Sequence, residues 1–556
     1  MTNPEDKPQT DTIDAREQRL KSLVSSRPRR VSAFIRRYSD TFGSVNTEPR
    51  SDAKRVLVIG SGSPSRIEME LCLVKALELA GWRSMPLIYH WEPKAILPYY
   101  SLLSSKTVYN LSDYLEPAAF RETAKTLVHN ARSLQELLKF EVGAVRIGGH
   151  AVSSALRQLG SISLDLQDET SRNLLVDLFA ASMASAAAIE QLVGLLRPSL
   201  VLTEDTAYTP RGEILDMCVH LGIPVVRWYV AHKDGALMLK RYTSANRNHD
   251  INSLSDASWR LAREINWSAD RREKLKQELS IGYLRKDWYN EDGTQFNKRQ
   301  LDIGAVHNRL GLDPLRKTAI IFPHIAYDAS FGRGEDLFAS YDAWLIETVQ
   351  SACANDELQW VVKVHPANAG KFLDGHRQVP DEEDMLRMRF SRLPKHVSIL
   401  PARTDISTLS LFPVMDYCVT VRGTVGLEAA CRGIPVLTGG TGRYEGRGFT
   451  IDSTTPRQYL ERIARIQEIS RLSPAQVELA QRFAYGLFVL RPLPLSSIAL
   501  VYDKGSNVEN HFNPVKIKLQ HRKDWEEALD LRAFVDWATK SDDEDFLLRS
   551  DAGLDR

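Results

Sequence analysis

The chain is short of several things, and each shortage excludes a class of protein. It has five cysteines in 556 residues, at 72, 218, 353, 418 and 431. None falls in a CxxC or a paired Cys/His spacing, so a structural zinc or a disulfide framework is not expected, and the pattern suits a reducing compartment. Cys72, Cys218 and Cys418 sit in apolar periodic runs and read as small core residues. Charge of one sign is also lacking: 72 basic residues face 71 acidic ones, for a net +1. No global field therefore points to nucleic acid. No apolar run approaches the 18 or so residues of a membrane span, and the polar N-terminus lacks the apolar core of a signal peptide. The expectation is a cytoplasmic protein. Hydrophobic residues at 43% and charged residues at 26% are ordinary for a globular chain long enough for more than one domain.

One stretch departs from this balance. SSRPRRVSAFIRRYSDTFG (25–43) gathers Arg27, Arg29, Arg30, Arg36 and Arg37 around Val31, Phe34 and Ile35. It reads as a disordered basic arm over 1–52, separable from the fold. It could also make peripheral contact with an anionic inner-membrane surface.

What is present is a repeated α/β pattern. Val56–Ile59 reads as a buried strand, the turn GSGSP follows, and a helix is expected over 67–79 before the strand SMPLIYH. A second βαβ unit runs from 197 to 235, with strands at 199–203 and 224–230 around a helix near 211–221. Such units imply parallel sheets with right-handed crossovers. Between 246 and 314 the pattern turns to charged amphipathic helix. A second α/β block then begins, with strands expected at 318–322, 360–364, 397–400, 416–421 and 434–437. The expected fold is α/β, with two Rossmann-like domains facing a cleft, one over 53–245 and one over 315–475, joined by a helical connection. Residues 476–556 are expected to be C-terminal helices and a polar tail.

The chemistry-bearing residues lie at the expected strand tips of the second block, where open α/β sheets bind ligands. His324 and Asp328 follow strand 318–322. His365 ends the strand in VVKVHPAN, and Pro366 prevents its continuation. Strand 416–421 runs into Arg422, Gly423 and Thr424, with Gly423 permitting close backbone approach and Thr424 a candidate N-cap. A helix start at a strand tip offers free N–H groups to an anion. Glu428 lies one turn into that helix, and a glycine-rich loop including Gly439 and Gly440 follows strand 434–437. Together these favour a nucleotide-phosphate site. In the first block, Gly60, Ser61, Gly62 and Ser63 form a strand-to-helix turn, a weak signal by itself.

Two segments, KVHP (363–366) and GTVGLEAACRGIPV (423–436), resemble the motifs of bacterial capsule polysaccharide biosynthesis proteins. These are GT-B-type glycosyltransferases similar in motif to Kdo transferases, bacterial sialyltransferases and CDP-glycerol glycerophosphotransferases. FPHIAYDASFGRGEDLFASYDAWLIETV (322–349) is also similar, and the likeness runs over 54–475. The motif glycine is often preceded by a small residue, where this chain has Arg422. The resemblance implies a nucleotide-sugar donor in the second domain. His365, Pro366, Arg422, Gly423 and Thr424 would hold its phosphate, and Glu428, Gly439 and Gly440 its nucleoside. The acceptor, a polysaccharide or glycolipid, would lie on the first domain near Gly60–Ser63.

Inverting transfer needs a base for the acceptor hydroxyl and positive groups on the leaving phosphate. The candidates for catalytic acid–base work are Glu204 and Asp205 after strand 199–203, Asp234 (with His232 beside it) after strand 224–230, and His324. No cofactor and no metal is expected, the nucleotide sugar being substrate. Two rival readings share the architecture: a non-hydrolysing nucleotide-sugar epimerase, and a non-catalytic nucleotide-sugar-binding component of a capsule assembly complex.

Overall fold

The computed structural model describes residues 29–48, 50–89, 93–289, 295, 297–325, 331–368, 381–500 and 514–549. Two parallel-rich sheets carry the fold. The first contains β1 (Arg55–Ile59), β2 (Arg83–Ile88), β3 (Tyr109–Asn110), β4 (Leu200–Thr203), β5 (Val225–Val230) and β6 (Ala236–Tyr242). The second contains β7 (Thr318–Phe322), β8 (Gln359–Lys363), β9 (Val397–Leu400), β10 (Tyr417–Thr420), β11 (Val436–Thr438) and β12 (Ile451–Asp452). A late strand, β13 (Leu493–Pro494), returns to the first sheet, whose order is β13-β6-β5-β4-β1-β2-β3. The second sheet, β12-β11-β10-β7-β8-β9, is parallel throughout. Its strands are buried on both faces, which explains their continuous apolar runs in place of alternation.

The expected strands form within one or two residues of their expected bounds. β6 was not expected, because ALMLKRY carries Lys240 and Arg241. Both are buried, and both are answered by residues some 300 positions away. Lys240 Nζ reaches Asp545 Oδ1 at 2.9 Å and Glu544 Oε1 at 2.6 Å. Arg241 Nη2 donates to the carbonyls of Trp537 (2.9 Å) and Ser541 (2.8 Å), the orphan acceptors at the C-terminal end of helix Leu529–Lys540. The C-terminal segment is therefore no loose polar tail. It folds back onto the first domain, pairing β13 with β6 and burying Phe534, Trp537 and Phe546 in that domain's core.

The basic arm is the second correction. Residues 1–28 of it lie outside the described residues, but 29–43 form a helix. Its Val31, Phe34, Tyr38 and Phe42 recur at spacings of three and four and are buried in the first domain's core. Phe42 packs edge-on against Trp525 with centroids 5.4 Å apart, and Phe34 against Tyr99 at 5.6 Å. Arg30 makes a two-pronged pair with the buried Glu68 at 3.0 and 2.9 Å. The chain's density of arginine hid an apolar stripe. Arg29, Arg36 and Arg37 occupy the opposite, exposed face.

One helix among the described residues, Glu169–Leu196, is long and apolar enough to cross a bilayer. It packs instead inside the first domain, with Leu175, Phe179, Met183, Ile189 and Leu192 all buried. Helices Asp256–Glu264, Ala269–Arg285 and Ile303–Leu310 build the connection and share a core with the second sheet.

Because Phe42 is fully buried, Phe42→Ala should destabilise the protein by about 3–5 kcal/mol. Deleting residues 1–50 should lower the melting temperature at least as much, read by calorimetry. Unchanged melting of the truncated chain would show that the helix only rests on the surface.

Candidate functional site

β7, β8 and β10 are adjacent and parallel, and they stop at Phe322, Lys363 and Thr420. Their loops consequently open on one edge. There a cavity of about 250 Å³ is lined by His324, Lys363, His365, Pro366, Arg422, Gly423, Thr424 and Glu428 from the second domain. Asp250, Tyr283, Trp288, Tyr289 and Gln295 contribute from the connection, and Arg333 and Arg443 from loops after β7 and β11. The cavity is smaller than the ~300–1,000 Å³ of typical small-molecule sites, so a ligand of nucleotide-sugar size would extend beyond it.

The expected phosphate residues do meet here, but their chemistry differs from expectation. Gly423, not Thr424, is the N-cap, and Thr424 opens a helix of seven residues. A Cβ on Gly423 would sit 2.9 Å from Thr420 Oγ1, so glycine is needed for close packing of this turn. Arg422 is 2% exposed. Its guanidinium is taken up by Asp336, the Glu335 carbonyl (3.3 Å) and the Tyr341 hydroxyl (3.2 Å). It braces the loop after β7 against the loop after β10. His324 Nε2 accepts the Arg422 backbone N–H at 3.1 Å, and its ring stacks on Tyr341 at 5.1 Å. Burial, with Arg443, Arg422 and His365 nearby, holds the His324 pKa well below the usual imidazole value. His324 is thus a neutral donor through Nδ1, with its acceptor nitrogen already used, and not the acid–base group expected of it. His365 Nδ1 accepts the Ala367 N–H at 3.2 Å, so the ring proton sits on Nε2.

Further positive charge at the site comes from residues missed in the sequence. Arg443 and Arg333 both pair with buried Asp250, at 3.3 and 3.9 Å. Arg443 lies in the glycine-rich loop, where only the glycines drew notice. Gly439 and Gly440 do not line the cavity. A Cβ on Gly439 would strike Trp344 Nε1 at 2.3 Å, and one on Gly440 would lie 2.8 Å from Arg422 Nη2. Their smallness serves packing, not the nucleoside. At the cavity's apolar end Tyr283 stacks on Trp288 (5.4 Å) and donates to Glu428 Oε2 at 2.8 Å. Burial pushes the Glu428 carboxyl up to about 7, against the pull of Arg432 and the Tyr283 bond. The missed signal here was the DWY triplet at 287–289, an aromatic pair inside a polar stretch. Tyr289 holds a φ of 49°, a strained region for a non-glycine residue.

The first-domain candidates lie outside the cavity, at the tips of β1, β4 and β5. Asp205 is flanked by Arg211 (3.1 Å) and Arg227 (3.8 Å). Burial would raise its pKa, but Arg211, Arg227 and the cavity residue Arg333 hold it at about 2, which makes it a poor proton acceptor. Glu204 is half-buried, 3.9 Å from Arg66 Nη1, and its Oε2 has no hydrogen-bond partner. Next to it stands a residue not singled out before: Glu70, on helix Pro64–Leu79, whose pKa is raised well above the usual range by burial and by Glu204. Asp234 is exposed in the β5–β6 turn. His232 is buried, pairs with Glu278 at 2.7 Å, and is held below its usual pKa by burial. Gly60 is closed over by Tyr100, whose hydroxyl a Cβ would meet at 2.3 Å; Ser61 is buried, and Ser63 precedes the helix without capping it by its side chain. Gly62 lies between them in the same turn. Asp328 lies outside the described residues. Among the described residues no group of three metal-ligating side chains converges.

Two parallel-rich sheets, with a cavity lined by arginines and histidines at the strand tips of the second, define an α/β protein whose cavity lies where open parallel sheets hold ligands. Residues 294–482, which carry the strand tips of the second sheet, match the family described as "Capsule polysaccharide biosynthesis protein". No curated protein matches the chain. Among solved structures it is similar to KpsC of Thermosulfurimonas dismutans, beta Kdo 2,4 transferase, at 15% identity over 51% of this chain and 79% of that one, with a TM-score of 0.31. The beta Kdo 2,7 transferase of the same KpsC matches at 12% identity over 59% and 85%, TM-score 0.33. UDP-GlcNAc 2-epimerase of Neisseria meningitidis, bound to UDP-GlcNAc, matches at 15% over 78% and 96%, TM-score 0.25. Superpositions this loose assign no residue a role.

The Glu428 carboxyl makes a testable statement about pH. Unfolded, it would release its proton near 4.5; folded, near 7. Between those values the native state binds more protons, so stability falls as pH rises through this window and the loss levels off above it. Glu428→Gln should flatten that fall, measured as the difference in melting temperature between about pH 5 and about pH 8. An equally steep fall in the variant would show the carboxyl to be ionised throughout.

Proposed function

We propose that the protein is a glycosyltransferase that moves a sugar from a nucleotide-activated donor to a hydroxyl of a surface polysaccharide or glycolipid. The observation that carries this reading is the cavity itself. It joins a neutral imidazole donor, backbone N–H groups and displaceable arginines to an aromatic wall with a buried carboxyl, as a nucleoside phosphate requires. The family match over 294–482 supports the capsule setting.

In this reading the acceptor lies on the first domain and Glu204 takes its proton, since Asp205 is committed to Arg211 and Arg227. The acceptor oxygen then forms a bond to the anomeric carbon while the bond from that carbon to the phosphate oxygen breaks. The electron pair leaves with the phosphate, and a single displacement inverts the centre. The developing charge falls where His365, Arg333 and Arg443 can meet it. Those side chains can do the work otherwise done by a metal ion, and no cofactor besides the nucleotide sugar is invoked. The exposed arginines of the N-terminal helix suit a peripheral position on the cytoplasmic face of the inner membrane.

His365→Ala should lower turnover by about a hundredfold, the cost of one donor to a leaving phosphate, with melting unchanged. Nucleotide-sugar turnover with and without a glycan acceptor, on wild type and variant, is the measurement. Wild-type turnover in the folded variant would leave His365 as a strand end only. Release of an epimerised sugar without acceptor would replace transfer by epimerisation.

A further inference from the structure

Lys363 ends β8 two residues before His365, about 7 Å back along the strand and on the same face of it. It lines the cavity, yet it is only 4% exposed. Its Nζ lies 6.0 Å from the centroid of Phe322. No described residue makes a hydrogen bond or ion pair with it. A buried ammonium without counter-charge is costly, and such groups are kept paired or serve a ligand.

Among the described residues, the acids that line the cavity are committed elsewhere. Glu428, across the cavity, is bound by Tyr283, and Asp250 is bound by Arg443 and Arg333. The other described ionisable groups around it are cations or imidazoles: Lys298, Arg422 on the β10 side, His324 at the β7 tip and His365 on its own strand. The backbone N–H groups at Thr424 stand on the β10 side, two strand spacings or about 10 Å away. One phosphate held between His365 and Thr424 therefore leaves Lys363 unanswered.

We propose that Lys363 receives a second anionic centre of the bound donor, either the second phosphate of a nucleoside diphosphate or a carboxylate on the transferred sugar. This rests on the reading of the cavity as a donor site. Burial and Lys298 push the Lys363 pKa down to about 7. A bound anion would raise it again, so binding takes up a proton above about pH 7 and weakens as pH rises further.

The test is calorimetric titration of the full chain with CMP, CDP, UDP, GDP and CMP-N-acetylneuraminic acid, at about pH 6.5 and about pH 8.5. Lys363→Met, Lys363→Arg and wild type are compared, with melting curves to confirm folding. In Lys363→Met, the ligand with two anionic centres should bind on the order of ten- to a hundredfold more weakly, CMP should be little changed, and the wild-type loss of affinity at high pH should vanish. Lys363→Arg, always charged, should restore affinity without that pH dependence. Loss confined to the diphosphates names the second phosphate as the centre; loss confined to the sugar acid names the carboxylate. If Lys363→Met binds every ligand as wild type does, at both pH values, the inference falls while the donor site stands. If wild type binds none of them, the donor reading falls and takes the inference with it.

Discussion

Parallel pairing in the second sheet is the constraint on which the site depends. Ile321 is opposite Val362, and Phe322 is opposite Thr420, so β7, β8 and β10 run out together at one edge. Parallel strands cannot be joined by hairpins, so each chain must leave that edge through a loop and return through a crossover. Three such loops supply His324, His365 and Gly423–Thr424 to one cavity. Pro366 enforces the stop on β8 by withholding a donor. On β10 the stop is enforced by Thr420, whose hydroxyl donates to the Phe322 carbonyl at 3.0 Å and accepts the Gly423 N–H at 3.3 Å.

Charge at that edge is divided into fixed and displaceable parts. Arg422 has three protein acceptors and almost no exposure, so it cannot turn to a ligand without leaving Asp336 uncompensated. Its role is to hold the loops in place, and its backbone N–H sets the tautomer of His324. Arg333 and Arg443 share Asp250 at 3.9 and 3.3 Å and line the cavity, so their charge faces the space a ligand would fill. Arg422 is therefore a strut between loops and not a group held in reserve for a ligand.

The edge itself was legible in the sequence, and its charges were not. Proline, glycine and the apolar runs mark where strands stop, because those residues act locally on the backbone. Whether an arginine is strut or ligand depends on Asp336 or Asp250, which no local pattern links to it. The same limit explains the N-terminal helix and β6. Phe34, Tyr38 and Phe42 formed a periodic face that the arginines between them obscured. Lys240 and Arg241 are buried only because Asp545 and the end of helix Leu529–Lys540 are brought to them from the far end of the chain, which no local pattern reveals. Glu70 was missed for a related reason. A glutamate in mid-helix is unremarkable until a tyrosine and a second carboxylate bury it.

The two domains are coupled where the connection meets both. Tyr289 lines the cavity, and its backbone N–H donates to the His232 carbonyl at the tip of β5 at 2.8 Å. His232 in turn is fixed by Glu278 and packed against Trp288 at 4.9 Å. His232 is thus no base for an acceptor hydroxyl: it is neutral, buried and occupied. It ties a strand tip of the first sheet to the aromatic wall of the second domain's cavity. The left-handed backbone at Tyr289 is held by its own N–H bond to the His232 carbonyl and by the Trp288 N–H bond to the Gly282 carbonyl at 3.1 Å. A shift of the β5 tip would have to move Tyr289, and through it the cavity wall beside Glu428, so the first sheet and the cavity of the second are in direct mechanical contact.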